Sequence, residues 1–205
     1  MTCDLFEYDK SFNLGLLAGV DEAGRGPLAG PVVTACCMLP TDVMIDGIND
    51  SKKLSECARE RLYDQIIKRA VFRVSIVPHS VIDEINILEA TKKGMKDCIK
   101  SMPVAPQLVL VDAVKLNADV PCRAIVKGDA ISYNIAAASI IAKVTRDRLM
   151  REFDALYPQY GFARNKGYGT REHIEALKAC GPSPIHRRTF TGHFVSEAEY
   201  DKYQA

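Results

Sequence analysis

Leu16-Leu17-Ala18-Gly19-Val20-Asp21-Glu22-Ala23-Gly24-Arg25-Gly26 passes from an apolar run into two adjacent carboxylates and then into a glycine-bracketed arginine. An apolar run bounded by glycine predicts a buried strand, with Asp21 and Glu22 at or near its end. Neighbouring carboxylates repel each other, and beside a core that repulsion is poorly screened. A divalent cation or a nearby arginine would offset it. The turn Gly24-Arg25-Gly26 exposes backbone without Cβ atoms on either side of Arg25, which suits close approach to a sugar or phosphate. Taken alone, the stretch fits equally well a strand that ends in a solvated acidic turn.

On either side the chain alternates strand-like and helix-like segments, the pattern of an α/β fold. Residues 31–39 read as a second strand, hairpin-paired with the first. Ser55 is a good N-cap for a helix whose stripe is Ala58, Leu62, Ile66 and Ala70. Residues 71–77 alternate as a strand, and Asn86-Ile87-Leu88-Glu89 opens a helix to about Lys100, with Leu88, Met95, Ile99 and Met102 inward. Leu108-Val109-Leu110-Val111 is a buried parallel-type strand ending on Asp112, and residues 122–126 form another, ending at Lys127-Gly128-Asp129. A long helix follows over about 132–156, its middle rich in small residues. The loop Gly167-Tyr168-Gly169 precedes a helix capped by Thr170 that stops at Gly181-Pro182.

The 205 residues hold 47% hydrophobic and 26% charged side chains with a net charge of +1, an ordinary globular balance that excludes a general polyanion sponge but not a local basic groove. The cysteines stand at 3, 36, 37, 57, 98, 122 and 180 without a C-x-x-C pair, so free thiols in a reducing cytoplasm are expected rather than a disulfide scaffold. No signal peptide is read at Met1-Thr2-Cys3-Asp4, and no apolar run approaches the roughly 20 residues of a membrane span. One domain over 1–205 is expected.

Apolar segments thus end on Asp21-Glu22, on Asp112 and on Asp129, and ligands of open α/β sheets gather outside strand ends. Four carboxylates from three segments suit hard cations that take oxygen ligands, Mg²⁺ or Mn²⁺, and point to two-metal phosphoryl chemistry. None of His79, His173, His186 and His193 falls in zinc-ligand spacing. Ser139 and Lys143 share a helix face, and so do Asp147 and Arg151, the latter reading as a surface pair. Tyr168, held between glycines, is either a ring presented to a sugar or base or a loop anchor. Lys52 and Lys53 read as solubility or backbone contacts, and Arg187-Arg188 as a basic cluster of no evident purpose.

The motif from Gly19 through Gly24-Arg25-Gly26-Pro27-Leu28-Ala29-Gly30 to Val32 closely resembles the opening signature of bacterial ribonuclease HII, a type 2 ribonuclease H. Asp50-Ser51-Lys52-Lys53-Leu54-Ser55, Lys127-Gly128-Asp129, the run from Ala137 to Asp147, Asn165-Lys166-Gly167-Tyr168-Gly169-Thr170 and Pro184-Ile185-His186-Arg187-Arg188-Thr189-Phe190 resemble its later signatures in the right order. The resemblance implies a ribonuclease H-like fold, a mixed five-stranded sheet flanked by helices, with a core over about 15–160 and a helical C-terminal part over about 161–205. It implies cleavage of RNA in RNA–DNA hybrids and 5′ of single ribonucleotides in duplex DNA, by a monomer whose protein partners are unknown. Asp21, Glu22, Asp112 and Asp129 would hold two Mg²⁺ or Mn²⁺ ions. Gly24, Arg25 and Gly26 would read the 2′-hydroxyl, Tyr168 would stack on the next sugar, and Lys52, Ser139 and Lys143 would contact phosphates. A hybrid-binding module without chemistry and another metal-dependent nuclease of the same fold are the competing readings. Asp112 is followed by Ala113 where the pattern more often has glycine or another residue, so the loop behind it is expected to differ slightly.

Overall fold

The computed structural model describes residues 2–196, 198 and 200. A helix, α1 (Thr2–Lys10), precedes β1 (Leu17–Ala23), which pairs antiparallel with β2 (Val32–Met38) as a hairpin. The helix α2 (Glu56–Ile67) is capped by Ser55, whose hydroxyl accepts the Ala58 N–H, and leads to β3 (Val71–Val77), antiparallel to β2. After α3 (His79–Lys100) the chain enters β4 (Leu108–Asp112) and β5 (Cys122–Ile125), parallel to β1 and to each other. The order β3-β2-β1-β4-β5 makes the expected mixed five-stranded sheet.

Every residue of β2 is buried because the sheet is covered on both faces, so the period of two sorts residues rather than exposing half of them. Cys36 joins the layer of Val20, Met95, Cys98 and Val111 beneath α3. Its neighbour Cys37 joins the opposite layer, of Ala136, Ala137, Ile140 and Ile141. That second layer is α4 (Tyr133–Leu156), capped by Ser132. Its small residues let it press on β1: a Cβ on Gly19 would lie 2.2 Å from backbone atoms of Asn134 and Ile135.

The 79–100 helix is broken at Asn86, which takes φ 66° and ψ 165° while its Oδ1 accepts the N–H groups of Leu88 and Glu89. Asn86 thus caps a second helical segment, as its motif predicts. The inward stripe begins only at Ala90 and Thr91, leaving Leu88 exposed, whereas Met95, Ile99 and Met102 are buried as expected. Beyond α4, a short α5 (Phe162–Asn165), then α6 (Arg171–Cys180) capped by Thr170 and α7 (Arg188–Thr191) form the helical C-terminal part. A bridge between Ala29 and His186 fastens it to the loop after β1.

Candidate active site

Asp21 and Glu22 sit near the C-terminal end of β1, and Asp112 is the last residue of the adjacent parallel β4. Side-by-side parallel strands deliver their carboxylates to one edge, where strand ends open into a cleft of about 530 Å³. Asp129 stands on the single turn after β5, and that turn is tied to β4 by the Gly128 N–H donating to Asp112 Oδ1 at 2.6 Å. Lys52 Nζ lies 3.6 Å from Asp129 Oδ2, and Arg25 Nη1 lies 3.5 Å from Glu22 Oε1.

The electrostatics are those of crowded anions. Burial, then the charges of Glu22, Asp112 and Asp129, hold the Asp21 carboxyl well above its ordinary pKa. Glu22 is also raised, by burial first, with Arg25 opposing. Asp129 is raised by burial and by Asp50, a further carboxylate whose side chain caps the turn Ser51–Lys53. Burial alone would lower the Lys52 ammonium's pKa, but Asp129 and Asp21 carry it upward instead. Glu22 Oε2 is buried and meets no hydrogen-bond partner. An all-oxygen donor set with mutual repulsion and an orphaned buried oxygen fits a hard divalent cation. Among the described residues no three His, Cys, Asp or Glu side chains meet in a finished metal cage; Mg²⁺ sites commonly need substrate phosphate to complete them.

The Gly24–Gly26 turn and Tyr168 form the rest of the cleft. Gly24 has φ 97°, and a Cβ on Gly26 would lie 3.6 Å from Tyr168 Cε1, so the ring faces the turn directly. Tyr168 is 45% exposed, so its ring stands at the surface of the cleft rather than packed in the core. Its backbone is the anchored part. The Ser183 N–H donates to His186 Nδ1, which places the His186 proton on Nε2 facing His173 Nε2 at 3.0 Å. His173 Nδ1–H then donates to the Tyr168 carbonyl at 2.9 Å. The two buried histidines are therefore a one-way relay under the Tyr168 loop.

Lys52 and Lys143 line the cleft, but Ser139 does not: it is 2% exposed and its hydroxyl donates to its own helix at Ala136 O. Asp147 and Arg151 are no surface pair. Asp147 is buried and holds Lys143 at 2.7 Å, while Arg151 reaches Glu56 and Glu60. The helix α2 covers that face and takes Arg151 through Glu56 and Glu60, while Asp147 pairs one turn back along its own helix. The Ala113 N–H donates to Ile125 O at 2.9 Å, and Ala113 then takes φ 50°, a left-handed conformation that turns the chain away after Asp112. Asp50, Arg146, Arg187, His173 and His186 each stand in or beside a signature segment, but residue type and spacing alone do not mark them as site residues.

A family model, ribonuclease HII, matches residues 18–193. The ribonuclease HII of Acetivibrio thermocellus is 58% identical over 190 residues, covering 92% of this chain and 73% of the relative. The crystal structure of ribonuclease H2 from Pyrococcus horikoshii OT3 superposes with a TM-score of 0.74 at 29% identity, over 92% of this chain and 98% of that one. Ribonuclease HII of Archaeoglobus fulgidus, solved in complex with PCNA, gives a TM-score of 0.70 at 30% identity, over 84% and 94% of the two chains. The sheet order, the carboxylates at its edge and these likenesses agree: the chain belongs to the ribonuclease HII family, hydrolases that cut the RNA strand of RNA–DNA hybrids.

Proposed function

We propose that the chain also incises duplex DNA on the 5′ side of single embedded ribonucleotides, by two-metal-ion hydrolysis that leaves 5′-phosphate and 3′-hydroxyl ends. The observation that carries this reading is that the acidic strand ends share one cleft with the Gly24–Gly26 turn and the Tyr168 ring. Asp21, Glu22, Asp112 and Asp129 would hold two Mg²⁺ or Mn²⁺ ions, whose chemistry is activation of the attacking water and charge relief at the leaving 3′ oxygen. The turn brings backbone against the ribose with no side chain in the way at Gly26, while the missing Cβ of Gly24 makes room for Arg146 beneath; the 2′-hydroxyl is what separates RNA from DNA there. Tyr168, beside Gly26, offers a flat face for the following deoxyribose. Lys52 and Lys143 supply cations toward the phosphates, and Ser139 supports the helix beneath Lys143.

The core strands and the C-terminal helices act together as one unit, because residues of both build the cleft. The cysteines are free thiols, in keeping with the cytoplasm. Among the described residues no helix is long and apolar enough to cross a membrane.

The test is a labelled DNA duplex holding one ribonucleotide, incubated with Mg²⁺ or Mn²⁺ beside an all-DNA control. Incision of the first alone, on the 5′ side of the ribonucleotide, is expected. Binding without incision would favour a hybrid-binding module, and equal cutting of both duplexes a nuclease that does not read sugars.

A further inference from the structure

Beneath the recognition turn lie two arginines that are almost wholly buried, Arg187 at 0% and Arg146 at 1% exposure. Arg187 donates from Nη2 to the Gly24 carbonyl at 2.6 Å, from Nη1 to the Arg25 carbonyl at 2.9 Å and from Nε to the Gly30 carbonyl at 3.0 Å. Arg146 donates to the carbonyls of Pro31, Ala29 and Lys166 at 3.0, 3.1 and 2.8 Å. A buried guanidinium is commonly matched to a carboxylate; here all six acceptors are main-chain oxygens.

The consequence follows from peptide geometry. Among the described residues no peptide bond is cis, and in a trans peptide the C=O and the following N–H point in opposite directions. Drawing the Gly24 and Arg25 carbonyls onto Arg187 turns the N–H groups of Arg25 and Gly26 away from it, toward the cleft both residues line. Neither N–H meets an acceptor among the described residues. Arg187 is itself fixed. Its N–H donates to Leu28 O at 2.8 Å, Phe190 lies 5.1 Å from its guanidinium, and Asp83 caps the two following N–H groups at 2.9 Å each. The planar fork reaches the three carbonyls from three different nitrogens; the donors of a lysine all radiate from one nitrogen on a flexible stem.

We propose that Arg187 is a positioning residue for ribose recognition: it holds the Gly24 and Arg25 carbonyls inward so that the Arg25 and Gly26 N–H donors face the 2′-hydroxyl. This rests on the reading of the turn as the ribose contact, and the test separates the two. Binding is measured in chelator, so that nothing is cut, on two duplexes identical except for one ribonucleotide. The parent should prefer the ribonucleotide duplex, and Arg187→Lys should reduce that preference by about tenfold, equivalent to ~1.4 kcal/mol. Affinity for the all-DNA duplex, set by phosphate contacts, should change by less than about twofold.

A folded Arg187→Lys that keeps the parent's preference, or loses affinity equally for both duplexes, overturns the proposal. A parent without any preference overturns the ribose reading instead, before any variant is made. Should the lysine variant not fold, nitrogen NMR on the parent decides. Separate Nη signals for Arg187, with Arg25 and Gly26 amides that shift on adding the ribonucleotide duplex but not the DNA one, are expected. A single averaged Nη signal, or amides indifferent to the ribonucleotide, refutes it.

Discussion

Gly19→Ala is the sharpest test of how the helix against β1 sets the active site. The added methyl would stand 2.2 Å from the Asn134 carbonyl carbon and the Ile135 nitrogen, and 2.5 Å from the Asn134 oxygen. Carbon contacts are optimal near 3.5–4.0 Å, so β1 and the first turn of α4 must part by about 1 Å or more. The helix end cannot yield freely. Asn134 donates to Asp9 from both its backbone N–H and its side chain, at 2.8 and 2.9 Å, and its Oδ1 accepts the Leu39 N–H at 2.8 Å. Tyr133 is pinned too, its hydroxyl accepting the Ile45 N–H at 2.6 Å. Overpacking costs about 1–3 kcal/mol where side chains can shift; backbone against backbone belongs at the top of that range. At about 2–4 °C per kcal/mol for a chain of this size, the melting temperature should fall by about 6–12 °C.

The same displacement separates Asp21 and Glu22, on β1, from Asp129, on the turn that feeds α4. A misplacement of about 1 Å in a catalytic constellation costs on the order of 100-fold in rate. Incision should therefore drop by about that factor at a temperature where circular dichroism shows the variant still folded. Gly15→Ala is the control, because a Cβ there meets nothing within 4 Å. A Gly19→Ala protein melting within about 2 °C of the parent, well under the cost of overpacking, would refute the reasoning.

Three further outcomes are expected. Asp21→Asn should abolish incision yet raise the melting temperature of the metal-free protein. Burial and the neighbouring carboxylates raise the Asp21 pKa, so its ionisation at neutral pH opposes folding, and the amide removes that cost; a lower melting temperature in chelator would count against the crowded-anion picture. Tyr168→Ala should impair cutting at a single ribonucleotide more than cutting of a long RNA–DNA hybrid, and an equal loss on both would remove its assigned role. Burial, then His173, push His186 down to about 3. The unfolded chain takes up that proton near pH 6.5 and the folded one does not, so stability should decline as pH falls below about 6.5, by up to ~1.4 kcal/mol per unit. Urea midpoints between about pH 6.5 and 5 should show this slope flattened in His186→Gln, and an unchanged slope would clear the histidine of responsibility.

The parts of this molecule legible in its sequence are those set by local pattern. The apolar run from Leu108 to Val111 is a case in point: it is continuous because its strand is covered on both faces, and its abrupt end at Asp112 marks the sheet's edge. Ser55, Asn86 and Thr170 cap helices through bonds that span two or three residues, so spacing alone reveals them. Burial of a charge is different, since it depends on chain far away. Arg146 and Arg187 look like surface cations until loops separated from them by as many as 117 and 163 positions supply carbonyls. Asp147 and Arg151 have ideal spacing for each other, but nothing in that spacing tells that α2 lies over them. The His173–His186 relay needs the turn at Gly181-Pro182 to fold the two residues together, and no sequence period encodes it.

The two walls of the cleft are built by different means for a physical reason. Mutually repelling carboxylates need a backbone that cannot relax, and β1 provides one, laddered to β2 through Asp21 and Glu22 and to β4 up to Val20. The segment 24–31 presents part of its backbone to the cleft and pairs only briefly with the C-terminal part, at the Ala29–His186 bridge; Arg146 and Arg187 satisfy five of its carbonyls from below. Burial lowers their pKa values to about 10 and about 9, which still leaves both charged at neutral pH beneath a site meant for phosphate. Glu22 and Gly24 are separated by at most about 7 Å of chain, on the order of two base-pair rises of ~3.4 Å. With one end of that short span fixed by strands and the other by arginines, the proposed function acquires a ruler: the bond that is cut must lie within about a nucleotide or two of the sugar that is read.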